Sequence, residues 1–270
     1  MTSLSPQPIQ FDSVADIYDD YVRTDFDISF WLNEGKAVHG KVLELTCGTG
    51  RVSIPLLKAG IELTCVDYAP EMVARLRKKL EENNKSCPII CQDIADLNLP
   101  DRYELIFIPF HSFSELIDAR KRRSALEKIW AHLTDSGIFI CTLQNPTVRV
   151  ASMDGAMHLV GEFPMSDGGK LVVNSRLLFD PSSQLAQGEQ TYDLYAADGK
   201  VIDHRILDIC FYLFHRNEFE SLVREVGFEV TALYGDYNCA AFQEQSSPFM
   251  IWKLRTGATR TDSHLERTAA

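Results

Sequence analysis

No run of 18 apolar residues occurs in the chain, so no segment reads as a membrane-spanning helix. The first ten residues, "MTSLSPQPIQ", lack a charged patch followed by an apolar core, and no secretory signal is expected. A surplus of positive charge is missing too. Lys and Arg number 27 against 38 Asp and Glu, a formal net charge of −11, which argues against a grip on nucleic-acid phosphates. The two basic clusters, "RLRKKL" and "ARKRRS", lie within helical periodicity and read as solvated helix faces. No zinc set is visible. Of the 7 cysteines, Cys87 and Cys91 are the closest pair, with no cysteine or histidine near enough to complete four ligands. The odd count, scattered through strand-like runs, suits free thiols in a reducing compartment, so a cytoplasmic protein without a metal is expected. Internal repeats are absent as well.

What is present is an ordinary globular composition, 45% hydrophobic and 24% charged over 270 residues. From Lys41 onward, strand-like runs (42–45, 63–66, 89–91, 105–108, 138–142) alternate with helical patterns (51–58, 70–83, 119–133). Gly60 and Gly137 read as glycine stops between helix and strand. Such alternation predicts an α/β fold with a mostly parallel sheet, whose strand C-terminal ends share one ligand-binding edge. The rhythm then changes. Between 158 and 214, "DGGK", "DPSS" and "ADGK" punctuate strand-like runs and predict an antiparallel insertion of three or four strands. A helix over 216–226, stopped by Gly227, precedes two last strands, "FEVTALYG" and "FMIWKLR". The expected division is a helical cap (1–40) packed over the sheet edge, a core (41–145), an antiparallel lid (146–214), a return to the core (215–255) and a frayed tail (256–270).

The stretch "VLELTCGTGRVSIPL" joins an apolar strand ending near Glu44 to a turn carrying Gly48 and Gly50. Glycines there let backbone amides and a helix N-terminus approach a ligand. Asp67, at the end of the second strand and about 20 residues on, is placed to meet a pair of ribose hydroxyls. Asp93 follows the third strand, either as a further ligand contact or as a cap.

On these residues the chain resembles the class I S-adenosylmethionine-dependent methyltransferases, from about Lys41 to Thr142 and more loosely beyond. The resemblance implies a Rossmann-like seven-stranded sheet and S-adenosylmethionine as cofactor. It further implies that "ELTCGTG" cradles the methionine part, that Asp67 binds ribose, and that Asp93 and Ile94 meet the adenine. Glu44, Cys47, Gly48, Gly50 and Phe110 are the matching cofactor contacts, and Tyr68 and Met72 flank the base. Tyr18 and Tyr21 in "DIYDDY" look like the N-terminal tyrosines that close over the cofactor in small-molecule methyltransferases, or are ordinary helix packing. Arg51 could pair with the cofactor's carboxylate or sit in a salt bridge. A nicotinamide dehydrogenase fits less well: its fingerprint wants glycine or alanine where Ser53 stands, and no acid before the turn.

Methyl transfer needs alignment and exclusion of water more than covalent help. His111, just past strand four, is the expected base for a hydroxyl or charged amine, unless it merely bonds a loop carbonyl. Tyr18 and Asn145 complete the catalytic candidates; Asn145 could direct its amide to the acceptor or simply form a turn before Pro146. The acid-or-Asn, two-proline, aromatic signature of nucleic-acid amino-methyltransferases is absent. Instead "IPFHSF", with Phe113, suggests an apolar pocket for a small-molecule substrate. Arg176, Tyr192, Tyr195, Arg205, Tyr212 and His215 are candidate lining from the insertion, and alternation lets about half face inward. Thr46 stands where the family usually has glycine. Either the loop shifts slightly, or the methionine tail is folded and the protein cyclises S-adenosylmethionine to azetidine-2-carboxylate and methylthioadenosine. A non-catalytic cofactor-binding protein is the third reading.

Overall fold

A computed structural model describes residues 7–257 of the chain. Five strands run parallel: β1 (Val42–Leu45), β2 (Leu63–Asp67), β3 (Ile89–Cys91), β4 (Tyr103–Ile108) and β5 (Leu133–Gln144). Two more, β10 (Phe228–Tyr234) and β11 (Phe249–Thr256), extend the sheet through antiparallel pairings, in the order β10-β11-β5-β4-β1-β2-β3. The central strands are apolar and buried on both faces, because helices cover both. Residues alternate between two cores. Leu43, Ile106 and Phe139 pack with α5 (Ala119–His132) and α7 (Arg216–Val226). Val42, Phe107 and Ile140 pack with α2 (Ile28–Ala37), α3 (Ser53–Lys58) and α4 (Pro70–Glu82). No described helix is long and apolar enough to cross a membrane.

A second sheet of four antiparallel strands follows: β6 (Asp154–Pro164), β7 (Lys170–Asp180), β8 (Leu185–Tyr195) and β9 (Val201–Tyr212). It begins four residues earlier than the turn signals predict, because β6 is an edge strand with nearly every side chain exposed and so carries little apolar alternation. A short α6 (Pro146–Arg149) leads into it.

The N-terminal segment is divided between two places rather than lying only on the sheet edge. Helix α2 sits on a sheet face, where fully buried Trp31 stacks on Phe107 at 4.6 Å between centroids. Earlier residues, including α1 (Tyr18–Tyr21), pack against the second sheet: Ile9, Val14 and Ile17 share a core with Leu171, Val173 and Leu207.

Gly60 and Gly227 end α3 and α7 in the left-handed conformation, at φ +83° and +112°. Gly137 does something else. Helix α5 ends at His132 and β5 starts at once, so Gly137 lies inside the strand, where a Cβ would sit 2.9 Å from the Tyr103 carbonyl oxygen. Close backbone approach, not a helix stop, requires glycine there. Thr256 likewise belongs to β11, opposite Phe228, rather than to a tail, and residues 258–270 lie outside the described part.

An ion pair with a fully buried acid and a mostly buried cation joins the start of α2 to the loop after β1. Arg51 meets both oxygens of Asp27, at 2.5 and 2.8 Å, and Trp31 Nε1 donates to the same carboxylate at 3.0 Å. Removing the cation alone would strand a buried charge. Arg51→Met is therefore expected to lower unfolding free energy by about 3 kcal/mol, read from denaturant melts, whereas a loss under about 1 kcal/mol would contradict this account.

Candidate active site

The loop between β1 and α3 turns three times through the left-handed region. Thr46, Gly48 and Gly50 have φ of +60°, +53° and +88°. The backbone at position 46 thus has a glycine-like shape, which a β-branched side chain tolerates poorly. Thr46 keeps the conformation, and its hydroxyl donates to the adjacent Leu45 carbonyl. Gly50 is required by space as well, since a Cβ would lie 2.3 Å from Leu76 Cδ1. Gly48 differs, having only open space where a Cβ would stand.

The space over Gly48 is a cavity of about 340 Å³ at the C-terminal edge of the parallel strands. Asp67, Tyr68, Met72, Phe110 and His111 line it from the sheet side, and Tyr18 and Tyr21 from α1. A second cavity, with Asp93 and Ile94 in its wall, shares Thr46, Tyr68, Ser112 and Glu115 with the first. Asp67 forms the floor. Its two oxygens accept from Gly48 N at 2.7 Å and Ala69 N at 2.9 Å, which leaves each with a lone pair for vicinal hydroxyls. Burial raises its pKa above the usual carboxylate value. Asp93 caps the next turn through Ala95 N at 2.9 Å and pairs with Lys121 at 2.8 Å, and it also stands in the wall of the second cavity.

Other predicted contacts stand behind the wall. Glu44 is buried and accepts from Ser53 Oγ at 2.6 Å, and Cys47 is buried beneath the loop. Arg51 is engaged by Asp27 and lies 4.8 Å from the Phe110 ring centroid, so it props that ring rather than reaching the cavity. Tyr18 packs edge-on against the rings of Phe11 and Tyr21, while its neighbour Asp19 accepts from Thr49 Oγ1 at 2.6 Å and pairs with Lys79 at 2.9 Å.

His111 lines the cavity with an imidazole of low basicity. Burial, then the charge of Arg149, depresses its pKa to about 3, so the imidazole stays neutral at physiological pH. Its Nδ1 is buried without a hydrogen-bond partner. Asn145 is fully buried. Its amide donates to the Glu244 and Ser247 carbonyls, both at 2.8 Å, and its oxygen caps Thr147 N, so the turn-forming alternative describes it and no group is left for an acceptor. The residue before it, Gln144, lines the cavity instead, with Oε1 held by Arg149 Nε at 3.2 Å.

The lid candidates sort by strand face. Gln190, Ile209 and Phe211 line the cavity. Arg176 and Tyr212 stand on the opposite face, paired with Glu189 at 2.7 Å and Glu218 at 2.5 Å, and a one-residue offset is enough to put them there. Tyr195 shares that outer face, beneath Lys170. Tyr192 is buried behind the wall and donates to Tyr21 Oη, while Arg205 is spent on Asp16 and Asp203. His215 precedes α7. Phe113 is in the core, between Phe214 and Phe219, because the turn after β4 points it inward. Glu115, Gln144 and Gln190 were not singled out by sequence. Only Glu115 left a signal, an acid amid "FHSFSELI".

Residues 42–137 match the family model of a methyltransferase domain. A glycine/sarcosine N-methyltransferase from Halorhodospira halochloris is 23% identical over 256 residues, covering 89% of this chain and 86% of that protein. A glycine/sarcosine/dimethylglycine N-methyltransferase from Actinopolyspora halophila is 24% identical over 89% of this chain, which spans only 40% of that longer protein. The CcbJ methyltransferase of Streptomyces caelestis superposes with a TM-score of 0.76 at 20% identity, over 91% of this chain and 96% of that one. Residues 42–137 thus carry a methyltransferase domain, and the chain has the fold of S-adenosylmethionine-dependent methyltransferases. The sugar N-methyltransferase KedS8 from Streptoalloteichus shares the fold, second sheet included, with a TM-score of 0.73 at 18% identity over 96% and 98% of the two chains. The residues fit S-adenosylmethionine, the cofactor that the resemblance implies: an open glycine cradle, spare acceptors on Asp67, and two cavities with a shared wall.

Glu44 carries a pH signature. Burial pushes its pKa up to about 8, against about 4.5 in an unfolded chain. The folded methyltransferase therefore holds a proton that the unfolded chain has lost, and stability falls as pH rises from about 4.5 to about 8. Glu44→Gln is expected to shrink the fall in melting temperature between about pH 6 and 9. Parallel melting curves for the two proteins would refute the assignment.

Proposed function

We propose that the methyltransferase acts on the nitrogen of a small-molecule amine held between the sheet edge and the antiparallel lid. What supports this first is the weak basicity of His111, the histidine in the cavity wall. A hydroxyl acceptor needs a base that takes its proton during attack, and an imidazole with a pKa near 3 is a poor one. An amine that has shed its proton carries a free lone pair and needs only to be placed. The acceptor end offers placement: Gln144 and Gln190 amides, the Tyr21 hydroxyl, and the rings of Phe110 and Phe211, without a lysine or arginine in the wall. A cavity of about 340 Å³ suits a small acceptor. The relatives named as glycine/sarcosine N-methyltransferases, and the fold neighbour named as a sugar N-methyltransferase, support the same reading.

When bound, S-adenosylmethionine supplies a methyl carbon made electrophilic by its positive sulfur. The chain's own residues bind and align. Asp67 takes the ribose hydroxyls, Asp93 and Ile94 take the base, and the loop from Thr46 to Gly48 takes the methionine part. Tyr18 and Tyr21, with the lid's Ile209 and Phe211, exclude water. Neutral His111 donates or accepts one hydrogen bond to the acceptor.

The test is incubation with S-adenosylmethionine alone and with panels of small amines or alcohols. Adenosylhomocysteine is expected only when an amine is added. Adenosylhomocysteine formed with alcohols but not amines would overturn the assignment to nitrogen, and methylthioadenosine released without any acceptor would replace transfer by cyclisation. Asp67→Ala is expected to weaken cofactor binding by about 100-fold, since it removes two charge-assisted hydrogen bonds. His111→Ala is expected to leave cofactor affinity intact and slow turnover about tenfold, the value of one hydrogen bond. Unchanged turnover in that variant would remove His111 from the site.

A further inference from the structure

Glu115 is an acid without a counter-charge. It lies on a short turn after β4, half-buried, in the wall common to both cavities. The first cavity contains no lysine or arginine, and the nearest cation in the second, Lys121, is committed to Asp93. Among the described residues no ion pair reaches Glu115. Its help comes from the Ser112 hydroxyl, while Asp67 across the floor repels it. Burial and that repulsion push its pKa up to about 8. Asp67 is different, because two backbone amides satisfy its oxygens without any ligand. An acid that holds its proton for want of a counter-charge gives it up to solvent when a positive charge enters beside it, and the carboxylate then formed attracts that charge.

We propose that Glu115 is the residue that distinguishes the two forms of the cofactor, binding the cationic sulfonium of S-adenosylmethionine and releasing the neutral thioether of adenosylhomocysteine. The inference rests on the cofactor assignment above. The chemistry supplies the difference. Transfer forms the acceptor's new bond to carbon and breaks the carbon–sulfur bond, whose electron pair stays on sulfur, so the positive charge leaves with the methyl group. The amino and carboxylate ends of the two molecules are identical. A contact to those ends, or to ribose or base, would favour both forms equally, whereas a carboxylate facing the sulfur favours only one. Attraction is thus present before transfer and gone after it.

Calorimetric titration of the intact protein with each nucleoside tests this. Glu115→Gln is expected to weaken S-adenosylmethionine binding about tenfold and leave adenosylhomocysteine binding within about twofold, the size of one charge-assisted contact. The product titration also reports that the variant is folded. Equal weakening of both would make Glu115 a ribose or base contact and overturn the inference alone. So would undiminished affinity for both with slower turnover, which would make it a base. If the wild-type protein bound neither nucleoside, the cofactor assignment would fail together with the inference.

Discussion

The carboxylate of Asp67 holds together the two turns from which the site is made. Strands β1 and β2 are neighbours in the sheet, but the loops that leave them diverge, one into α3 and the other into α4. By accepting from Gly48 N and Ala69 N, Asp67 joins them at 2.7 and 2.9 Å. Both bonds run from backbone amides to a buried acid, and such charge-assisted contacts are stronger than neutral ones. The price is a desolvated carboxylate, which shows as a raised pKa. The same residue thus shapes the cradle and presents its remaining acceptors to the space above it. A fold of this kind needs the acid even before a ligand is present.

The lid depends on the N-terminal segment more than on the core sheet. Arg205 of β9 reaches Asp16 and the Ser13 carbonyl, Tyr192 of β8 bonds Tyr21, and Arg23 reaches the Pro164 carbonyl of β6. Ile9, Val14 and Ile17 complete the apolar part of that contact. The segment therefore has one surface on the lid and another on the cavity, with Tyr18 and Tyr21 at the turn between them. Such an arrangement sets the cavity roof by a buried apolar cluster together with a few polar contacts.

Strands and helices of the core were legible in the sequence because burial on both sides leaves continuous apolar strands, and helices leave their own period. Asp67, Gly48 and Asp93 were legible for a related reason: they sit where the end of each strand fixes the position of the next residue. The failures lie elsewhere. Phe113 and Asn145 stand beside cavity residues in sequence, yet a turn sends Phe113 into the core and a cap consumes Asn145. Arg176 and Tyr212 are on the right strands and the wrong face, which register alone decides. Gln144 and Gln190 are visible only once the sheets are assembled, since an isolated glutamine in a strand carries no pattern. His111 was read at its ordinary pKa, and only burial beside Arg149 reverses that.

Thr46, Phe110 and His111 are left-handed at φ of +60°, +57° and +69°, and all three line the same cavity. Each such conformation costs an L-residue with a Cβ on the order of 1 kcal/mol or more. Strain of this amount persists only where surrounding contacts over-determine it. Here they do. Arg51 props Phe110, Phe249 stacks on His111 at 5.1 Å, and the Cys47 amide bonds the Val66 carbonyl just past Thr46. The threonine is therefore not a break in the cradle. Its backbone keeps the turn that glycine would make more cheaply, and it stands in the wall common to both cavities. Left-handed backbone geometry is thus the requirement at position 46, and a side chain is tolerated there at a cost.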